Sequence, residues 1–169
     1  MTGKQAMEDA YFFIAVLSGQ MYALPLNSVV EVTPAVALSK PNPDLSGDSI
    51  SSKLSDLSPG TFNYHGKLLP ILNLRKWLNL PDQALDASQF LLVVKCDGLM
   101  AGCLVDDVED VCQFSQLQNS EQSWLPSGDG KITVLTLATR VLFMINENLL
   151  ASDIKRLDLL LHAEQVPSL

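Results

Sequence analysis

The chain has 169 residues, of which 47% are hydrophobic and 18% are charged. This length fits one compact domain that buries roughly 70% of its unfolded surface, and the composition is too rich in aliphatic residues for a disordered chain or a coiled coil. The count of 11 Lys and Arg against 19 Asp and Glu gives a net charge of −8. Nucleic acid and anionic membrane surfaces would repel such a protein on average, which excludes them as expected partners.

The first apolar run, Tyr11 to Leu17, is too short to cross a bilayer. Glu8 and Asp9 stand where a signal peptide would be basic. We therefore expect a cytoplasmic protein without direct membrane insertion.

Two β-hairpins are predicted. Tyr11 to Leu17 and Met21 to Leu26 flank the turn-like Ser18-Gly19-Gln20. Further on, Phe90 to Lys95 and Leu99 to Val105 flank the turn dipeptide Asp97-Gly98.

The sequence also contains weak internal repeats. A constant offset of 79 positions aligns the two predicted hairpins and pairs Gly19 with Gly98. A second offset sets Leu68 to Asn73 beside Val141 to Asn146, and each of these strands ends in Asn before a helix-like stretch. The repetition predicts two similar β-subdomains.

The remaining segments are predicted to be a loop and two helices. Residues 40–59 are rich in Ser and Pro and predict a surface loop. Leu74 to Leu80 predicts a short helix that ends at Pro81. Asn146 can cap a longer amphipathic helix that reaches about His162 and whose apolar face docks on the protein's own barrels. That face comprises Leu150, Ile154, Leu157 and Leu161.

The sequence offers little for catalysis or for a cofactor. His65 and His162 are the two histidines, and neither lies beside a Cys or a carboxylate at ligand spacing. Phosphate-binding glycine motifs are missing, and Gly128-Asp129-Gly130 is explained by a tight turn. We predict no catalytic residue, no cofactor and no metal ligand.

The three cysteines are Cys96, Cys103 and Cys112, and they lack C-x-x-C spacing. They are expected to be buried free thiols, with an adventitious bridge between Cys96 and Cys103 left open.

An acidic cluster consists of Asp106, Asp107, Glu109 and Asp110. It could bind Ca²⁺ in principle, but it lacks EF-hand spacing. A solvated strand edge is the expected interpretation.

Two stretches resemble known motifs. Residues 60–75, GTFNYHGKLLPILNLR, are similar to the central signature of CheW-like domains, G-x-x-N-x-R-G-x-x-x-P-[VI]-x-[DN]-L-R. Residues 102–111, GCLVDDVEDV, are similar to the family's G-[hydrophobic]-x-V-D-x-V-x-x-V motif. The resemblance covers about Tyr11 to Leu150.

The resemblance implies an all-β fold. Two SH3-like, five-stranded barrels would share a hydrophobic core, with short helices and a C-terminal amphipathic helix. On this basis 1–169 is a single domain, with subdomain 1 at roughly 23–90 and subdomain 2 at roughly 91–145. The strand 11–17 and the helix 146–162 would pack across both.

The implied function is that of a non-catalytic adaptor in chemotaxis or a related chemosensory system. Such a protein couples a chemoreceptor, a methyl-accepting protein, to a CheA-type histidine kinase. One barrel would pair with the regulatory domain of the kinase, and a groove between the barrels would receive the cytoplasmic tip of the receptor.

Four residues are expected at partner surfaces on this resemblance. Val29 and Glu31 match positions near the family's partner surfaces, and Asn63 and His65 lie in the signature turn. His65 replaces an Arg associated with receptor contact, and an imidazole cannot make the permanently charged, bidentate contact of a guanidinium. Alternatively, His65 is a turn residue whose ring caps a neighbouring carbonyl.

His65 and the lengthened 40–59 loop indicate a divergent member of the family, one that serves a pilus-motility, phototaxis or other chemosensory-like array. Three alternatives remain open. The chain could be a CheW-like module that binds a kinase but no receptor. It could be a β-barrel that binds a small ligand, or a β-barrel interaction protein of unrelated purpose.

Overall fold

A computed structural model describes residues 11–35, 58, 60–81, 88–113, 123–136 and 140–165. The strands are β1 Tyr11–Leu17, β2 Gln20–Pro25, β3 Val29–Pro34, β4 Gly60–Tyr64, β5 Lys67–Asn73, β6 Phe90–Cys96, β7 Leu99–Val105, β8 Asp107–Val108, β9 Cys112–Gln113, β10 Ser123–Pro126, β11 Ile132–Thr136 and β12 Val141–Ile145. The helices are α1 Leu74–Trp77 and α2 Glu147–Gln165, and a 3-10 turn spans Leu26–Ser28. The predicted 40–59 loop lies outside the described residues, apart from Ser58.

Tight two-residue turns connect three antiparallel strand pairs. The turn residues of the first hairpin, Ser18 and Gly19, both have positive φ, and so do Asp97 and Gly98 in the hairpin of β6 and β7. Positive φ at both central positions is the type I′ geometry that matches the twist of paired strands. Both predicted hairpins are confirmed, and β4 and β5 form a third one.

The strands form two sheets, which confirms the all-β prediction. The first sheet has the order β10-β11-β12-β2-β1-β8, with β9 also paired to β1. The second has the order β3-β6-β7-β5-β4. The first sheet contains seven strands rather than five because the two-residue strands β8 and β9 add to its edge.

Strand pairing groups the chain differently from the predicted subdomains. The hairpin of β6 and β7 pairs with β3 and β5, which precede it in the chain. The N-terminal hairpin of β1 and β2 pairs with β8, β9 and β12, which follow much later. Each sheet therefore contains strands from both halves of the sequence.

The internal repeat is visible in the strand register. β5 runs parallel to β7 with Ile71 opposite Gly102. β12 runs parallel to β2 with Met144 opposite Ala23. Met144 is the equivalent of Ile71 under the second offset, 73 positions, and Ala23 is the equivalent of Gly102 under the offset of 79. The two parallel strand pairs therefore have equivalent register.

Apolar side chains form three cores. One lies on the inner side of the first sheet and includes Phe12, Ile14, Ala23, Cys112, Leu135 and Leu142. A second fills the curl of the five-stranded sheet and includes Phe62, Leu69, Ile71, Leu91, Val93 and Leu104. The third and largest contains residues of both sheets, of α1 and of α2, among them Leu17, Leu24, Leu72, Trp77, Val94, Cys103 and Ile154. This third cluster is the common core that was expected between two barrels.

The helix α2 begins as predicted. The Asn146 side-chain oxygen accepts hydrogen bonds from the backbone N–H groups of Asn148 at 3.1 Å and Leu149 at 3.3 Å, which is N-cap geometry. The helix ends at Gln165, three residues beyond the predicted end. The four residues of the predicted apolar face are all buried in the protein's own fold. Among the described helices, none combines the length and the apolar character needed to span a membrane.

Candidate functional site

The signature turn, His65-Gly66, is exposed and connects β4 to β5. The side-chain oxygen of Asn63 accepts a hydrogen bond of 2.8 Å from the backbone N–H of Gly66. His65 occupies the left-handed region with φ of 51° and is exposed. Its ring packs edge-on against Tyr64, with the ring centroids 4.4 Å apart. Asn63 therefore shapes the turn that presents His65.

Glu31 lies near this turn although β3 and β4 are the opposite edges of their sheet. A side-chain hydrogen bond between Tyr64 and Glu31 is the main reason why the pKa of Tyr64 is raised, followed by desolvation and by the negative charge of Glu31. Tyr64 of β4 and Ala35, which follows β3, also pack against the same apolar cluster, so the two edges of the five-stranded sheet approach each other. This approach brings Glu31, Asn63 and His65, three of the four predicted partner residues, to one end of the barrel.

Val29, the fourth predicted residue, points largely inward. It is half-buried and packs against the common core, opposite Val94. Val30 faces outward and is 47% exposed, as strand alternation after the inward-facing Val29 requires. A β-bulge between Val29 and Glu31 leaves Glu31 exposed as well, where regular alternation would turn it inward. This edge therefore exposes an apolar and an acidic side chain next to each other.

An ion pair that the sequence did not predict joins the two recognised motifs. Arg75 and Asp106 are in direct contact, and Arg75 also donates a hydrogen bond of 2.6 Å to the Ser18 hydroxyl. The backbone N–H of Ser18 donates to the same Asp106 carboxylate at 2.9 Å. Only 6% of Arg75 is exposed. The network therefore ties the first hairpin turn to α1 and to the end of β7.

The acidic cluster was expected to form a solvated strand edge, and this expectation fails for Asp106. Asp107, Glu109 and Asp110 are exposed, as a solvated edge requires, but Asp106 turns inward to Arg75. Burial alone would raise the pKa of the Asp106 carboxyl. The hydrogen bonds from Arg75, Ser18 and Gln89 and the charge of Arg75 outweigh this effect and hold that pKa below its usual value.

Trp77 links α1 to the second half of the chain. Its indole N–H donates a hydrogen bond of 2.6 Å to Asp153 of α2. The Lys131 ammonium donates a bond of 2.6 Å to the Trp77 carbonyl and lies 5.3 Å from the centroid of the ring. Trp77 is fully buried. These contacts hold α2 and the residue before β11 against the five-stranded sheet, which leads directly into α1.

An apolar strip runs across the first sheet from the common core to its β10 edge. Register places Leu125 opposite Val134, Val134 opposite Phe143, and Phe143 beside Tyr22. The rings of Tyr22 and Phe143 stack 5.1 Å apart. Exposure increases outward along this row, from buried Tyr22 to Leu125, which is 66% exposed. The strip is an apolar surface continuous with the core between the sheets.

A cavity of about 550 Å³ lies at the β8–β9 edge and not inside a barrel. Its lining includes the charged residues Glu109, Asp110 and Arg140, together with Cys112. Arg140 donates a hydrogen bond of 3.3 Å to the Cys112 sulfur. This position does not match the polar internal cavity that a ligand-binding barrel would need.

All three cysteines are free and buried, as predicted. Burial is the main cause that raises the pKa of the Cys96 thiol to about 11, and it raises that of Cys103 further.

Comparisons with known proteins agree with this geometry. The family model described as CheW-like domain matches residues 12–155. Among solved structures, the chain is similar to the scaffolding protein TtCheW from Thermoanaerobacter tengcongensis, with a TM-score of 0.63 and 20% sequence identity. That alignment covers 82% of this chain and 89% of the other. The comparison with curated proteins found no matching relative. Since the family model spans both barrels and most of the chain, this protein belongs to the CheW-like family.

Proposed function

We propose that this protein is a non-catalytic cytoplasmic scaffold that couples a chemoreceptor to a CheA-type histidine kinase. The observation that carries the proposal is the family match over residues 12–155, on a fold of two sheets around one common core. The similar structure from Thermoanaerobacter tengcongensis is itself described as a scaffolding protein. The acidic charge of −8 fits a protein partner rather than nucleic acid.

Two surfaces are candidates for contact with the partners. The apolar strip ending at Leu125 would receive the helical tip of the receptor, because an amphipathic helix buries its apolar face in such a surface. The turn around His65, with Glu31 and Val30 beside it, would add polar and apolar contacts to the receptor at the end of the five-stranded sheet. Interfaces of this kind depend on a small apolar centre and a polar rim, and require no catalytic group.

The first test is a calorimetric titration with the regulatory domain of the CheA-like kinase from the same source. Binding with a Kd in the micromolar range, roughly −8 kcal/mol, is expected. A titration without heat, together with separate elution of the two proteins, would contradict the signalling role while leaving the fold unaffected.

The receptor surface is tested by a charge in the apolar strip. Leu125→Asp should weaken capture of a receptor-tip peptide by tenfold or more, since a carboxylate would be buried in an apolar contact. Leu159→Asp is the matched control, because Leu159 is similarly exposed, at 60%, on the outer face of α2. Equal loss in both variants would remove the strip from the interface.

A second candidate function is a module that binds the kinase but no receptor, and the His65 substitution favours it. His65→Arg should strengthen capture of the receptor tip, because Arg supplies a permanent charge and a planar fork of donors. His65→Gln is the control, since it keeps hydrogen bonding without the charge. Unchanged affinity in the Arg variant would refute a receptor role for residue 65. We infer from the same substitution and the 40–59 loop that the array served is a divergent one, such as a pilus-motility or phototaxis system.

A further inference from the structure

Tyr64 contacts two of the residues that the resemblance places at a partner surface, although it is not one of them itself. It is the last residue of β4 and lies directly before the signature turn. Its hydroxyl donates a hydrogen bond to the Glu31 carboxylate, and its ring packs edge-on against His65. Tyr64 therefore joins a side chain of β3 to the turn between β4 and β5.

The ring of Tyr64 is anchored in the apolar core of the five-stranded sheet. It packs against the cluster that contains Phe62, and the centroids of the two rings are 6.3 Å apart. Phe62 is buried, whereas Glu31 is exposed. A packed aromatic side chain has few torsions to fix, so it holds its hydroxyl in place at a small entropic cost. The core of the sheet thus determines where the Glu31 carboxylate is held.

Glu31 can still accept further hydrogen bonds after this contact. A carboxylate offers about four lone-pair sites, and the Tyr64 hydroxyl uses one of them. Among the residues that the structure describes, no Lys or Arg forms an ion pair with Glu31. The β-bulge also leaves Glu31 exposed to solvent. A fixed, exposed carboxylate in such surroundings is suited to a charge-assisted hydrogen bond from a partner.

We propose that Tyr64 is a positioning residue, which holds Glu31 ready to accept a Lys or Arg side chain of the receptor tip. This inference rests on the proposed function, which places the same turn against the receptor. The hydroxyl acts through Glu31 and needs no contact with the receptor itself. A Glu side chain without this bond samples several rotamers, and binding has to restrict them. Fixing the carboxylate beforehand reduces that cost and strengthens binding.

Removal of a single hydroxyl tests the positioning role. Tyr64→Phe keeps the ring and should weaken capture of a fragment with the cytoplasmic tip of the receptor by about three- to tenfold. The matched control is Tyr11→Phe, because Tyr11 is an exposed tyrosine at the start of β1 in the other sheet. The control should capture the receptor tip as the parent protein does. Binding of the kinase regulatory domain should be unchanged in both variants, and an equal loss of kinase binding in Tyr64→Phe would overturn the proposal.

A double-mutant cycle separates positioning from an effect on the fold alone. In Glu31→Ala the hydroxyl has no carboxylate to hold, so the addition of Tyr64→Phe should cause no further loss of receptor affinity. If the hydroxyl only joins β3 to β4, Tyr64→Phe lowers the urea midpoint and leaves receptor affinity unchanged, which would refute the positioning role. Independent losses that multiply in the double variant would refute it as well.

The charge of the receptor side chain is tested by salt. An ion pair at an exposed site is screened as the ionic strength rises. Receptor affinity should therefore fall more steeply with salt in the parent protein than in Glu31→Gln, which keeps an acceptor for the Tyr64 hydroxyl but carries no charge. An equal salt dependence in both proteins would overturn the assignment of a Lys or Arg partner.

The parent protein separates this inference from the proposed function. If the parent protein captures the receptor tip and Tyr64→Phe captures it equally well, only the role of Tyr64 is refuted. If the parent protein captures no receptor tip, receptor coupling is refuted and this inference is refuted with it.

Discussion

Gly102 is predicted to be required by the large side chains packed around it. A Cβ added at Gly102 would lie 2.7 Å from Phe62 Cε1 and 2.8 Å from Leu91 Cδ1, closer than real Cβ contacts. Both neighbours are buried, so they cannot move into solvent. Overpacking of this kind costs about 1–3 kcal/mol. The smaller conformational freedom of Ala in the unfolded chain recovers about 0.4–1 kcal/mol.

Gly102→Ala should therefore lower the free energy of unfolding by roughly 1–2 kcal/mol. For a chain of this size the melting temperature should fall by about 2–8 °C. The assay is urea unfolding followed by circular dichroism, with the midpoint compared at constant m-value. An unchanged or raised midpoint would refute the close-contact argument.

The internal repeat suggests a second substitution that would relieve the overpacking caused by Ala at position 102. In the first sheet the equivalents of Gly102 and Phe62 are Ala23 and Leu135. The Cβ of Ala23 is thus accompanied by a Leu, which is smaller than Phe. Phe62→Leu should then make room for Ala at 102. We expect the double variant to be more stable than the sum of the single effects by about 1 kcal/mol.

The control for this coupling is Phe62→Leu combined with Ala23→Gly in the other core. Because these two sites belong to separate clusters, their effects should be additive within about 0.5 kcal/mol. If the coupling energy were the same in this control pair as in the pair Gly102→Ala with Phe62→Leu, it would not arise from direct contact.

Three further predictions concern single groups. Asp106 has a folded-state pKa below the ordinary 3.8, so its contribution to stability is present above pH 4 and is lost as the pH falls through the folded pKa. In the Asp106→Asn variant the free energy of unfolding should fall less steeply with acidification than in the parent protein. An equally steep fall would contradict this. Asn146→Ala should lower the free energy of unfolding in urea by about 1 kcal/mol, because the N-cap of α2 is lost. An equal loss in the control Asn148→Ala, at an exposed position, would argue against capping. With its pKa raised to about 11, Cys96 should resist iodoacetamide at pH 8 until the protein is denatured, and rapid labelling of the native protein would show that the thiol is accessible.

The elements that the sequence predicted correctly are those determined by local patterns. Asp97-Gly98 and Ser18-Gly19 favour their turns whatever the rest of the chain does, and both hairpins are confirmed. The apolar face of α2 follows from spacing alone, and Leu150 and Ile154 are fully buried. The repeat was also detectable, because equivalent strands carry similar residues at an offset of 79 for the hairpins and 73 for the later strands.

Long-range features could not be predicted from these patterns. Nothing local to Arg75 or Asp106 indicates that they meet, since their contact depends on the parallel pairing of β5 with β7. The bulge that leaves Glu31 exposed beside Val30 depends on the pairing of β3 with β6, which lies far along the chain. The predicted partner role of Glu31, Asn63 and His65 stays a prediction, although the fold gathers these residues at one end of the barrel.

The pairing of each hairpin with strands from the other half of the chain has a consequence for synthesis on the ribosome. The first hairpin is synthesised before its parallel neighbour β12, and β3 to β11 lie between them in the chain. Neither sheet can be completed until strands from both halves are available. The strands β1 and β2 must therefore remain without their β12 neighbour until β12 has been synthesised, and non-local closure of this kind is slow. The nascent chain is thus exposed to aggregation for longer than a protein whose barrels closed one after the other, and chaperone capture during translation would be concentrated on its first hairpin.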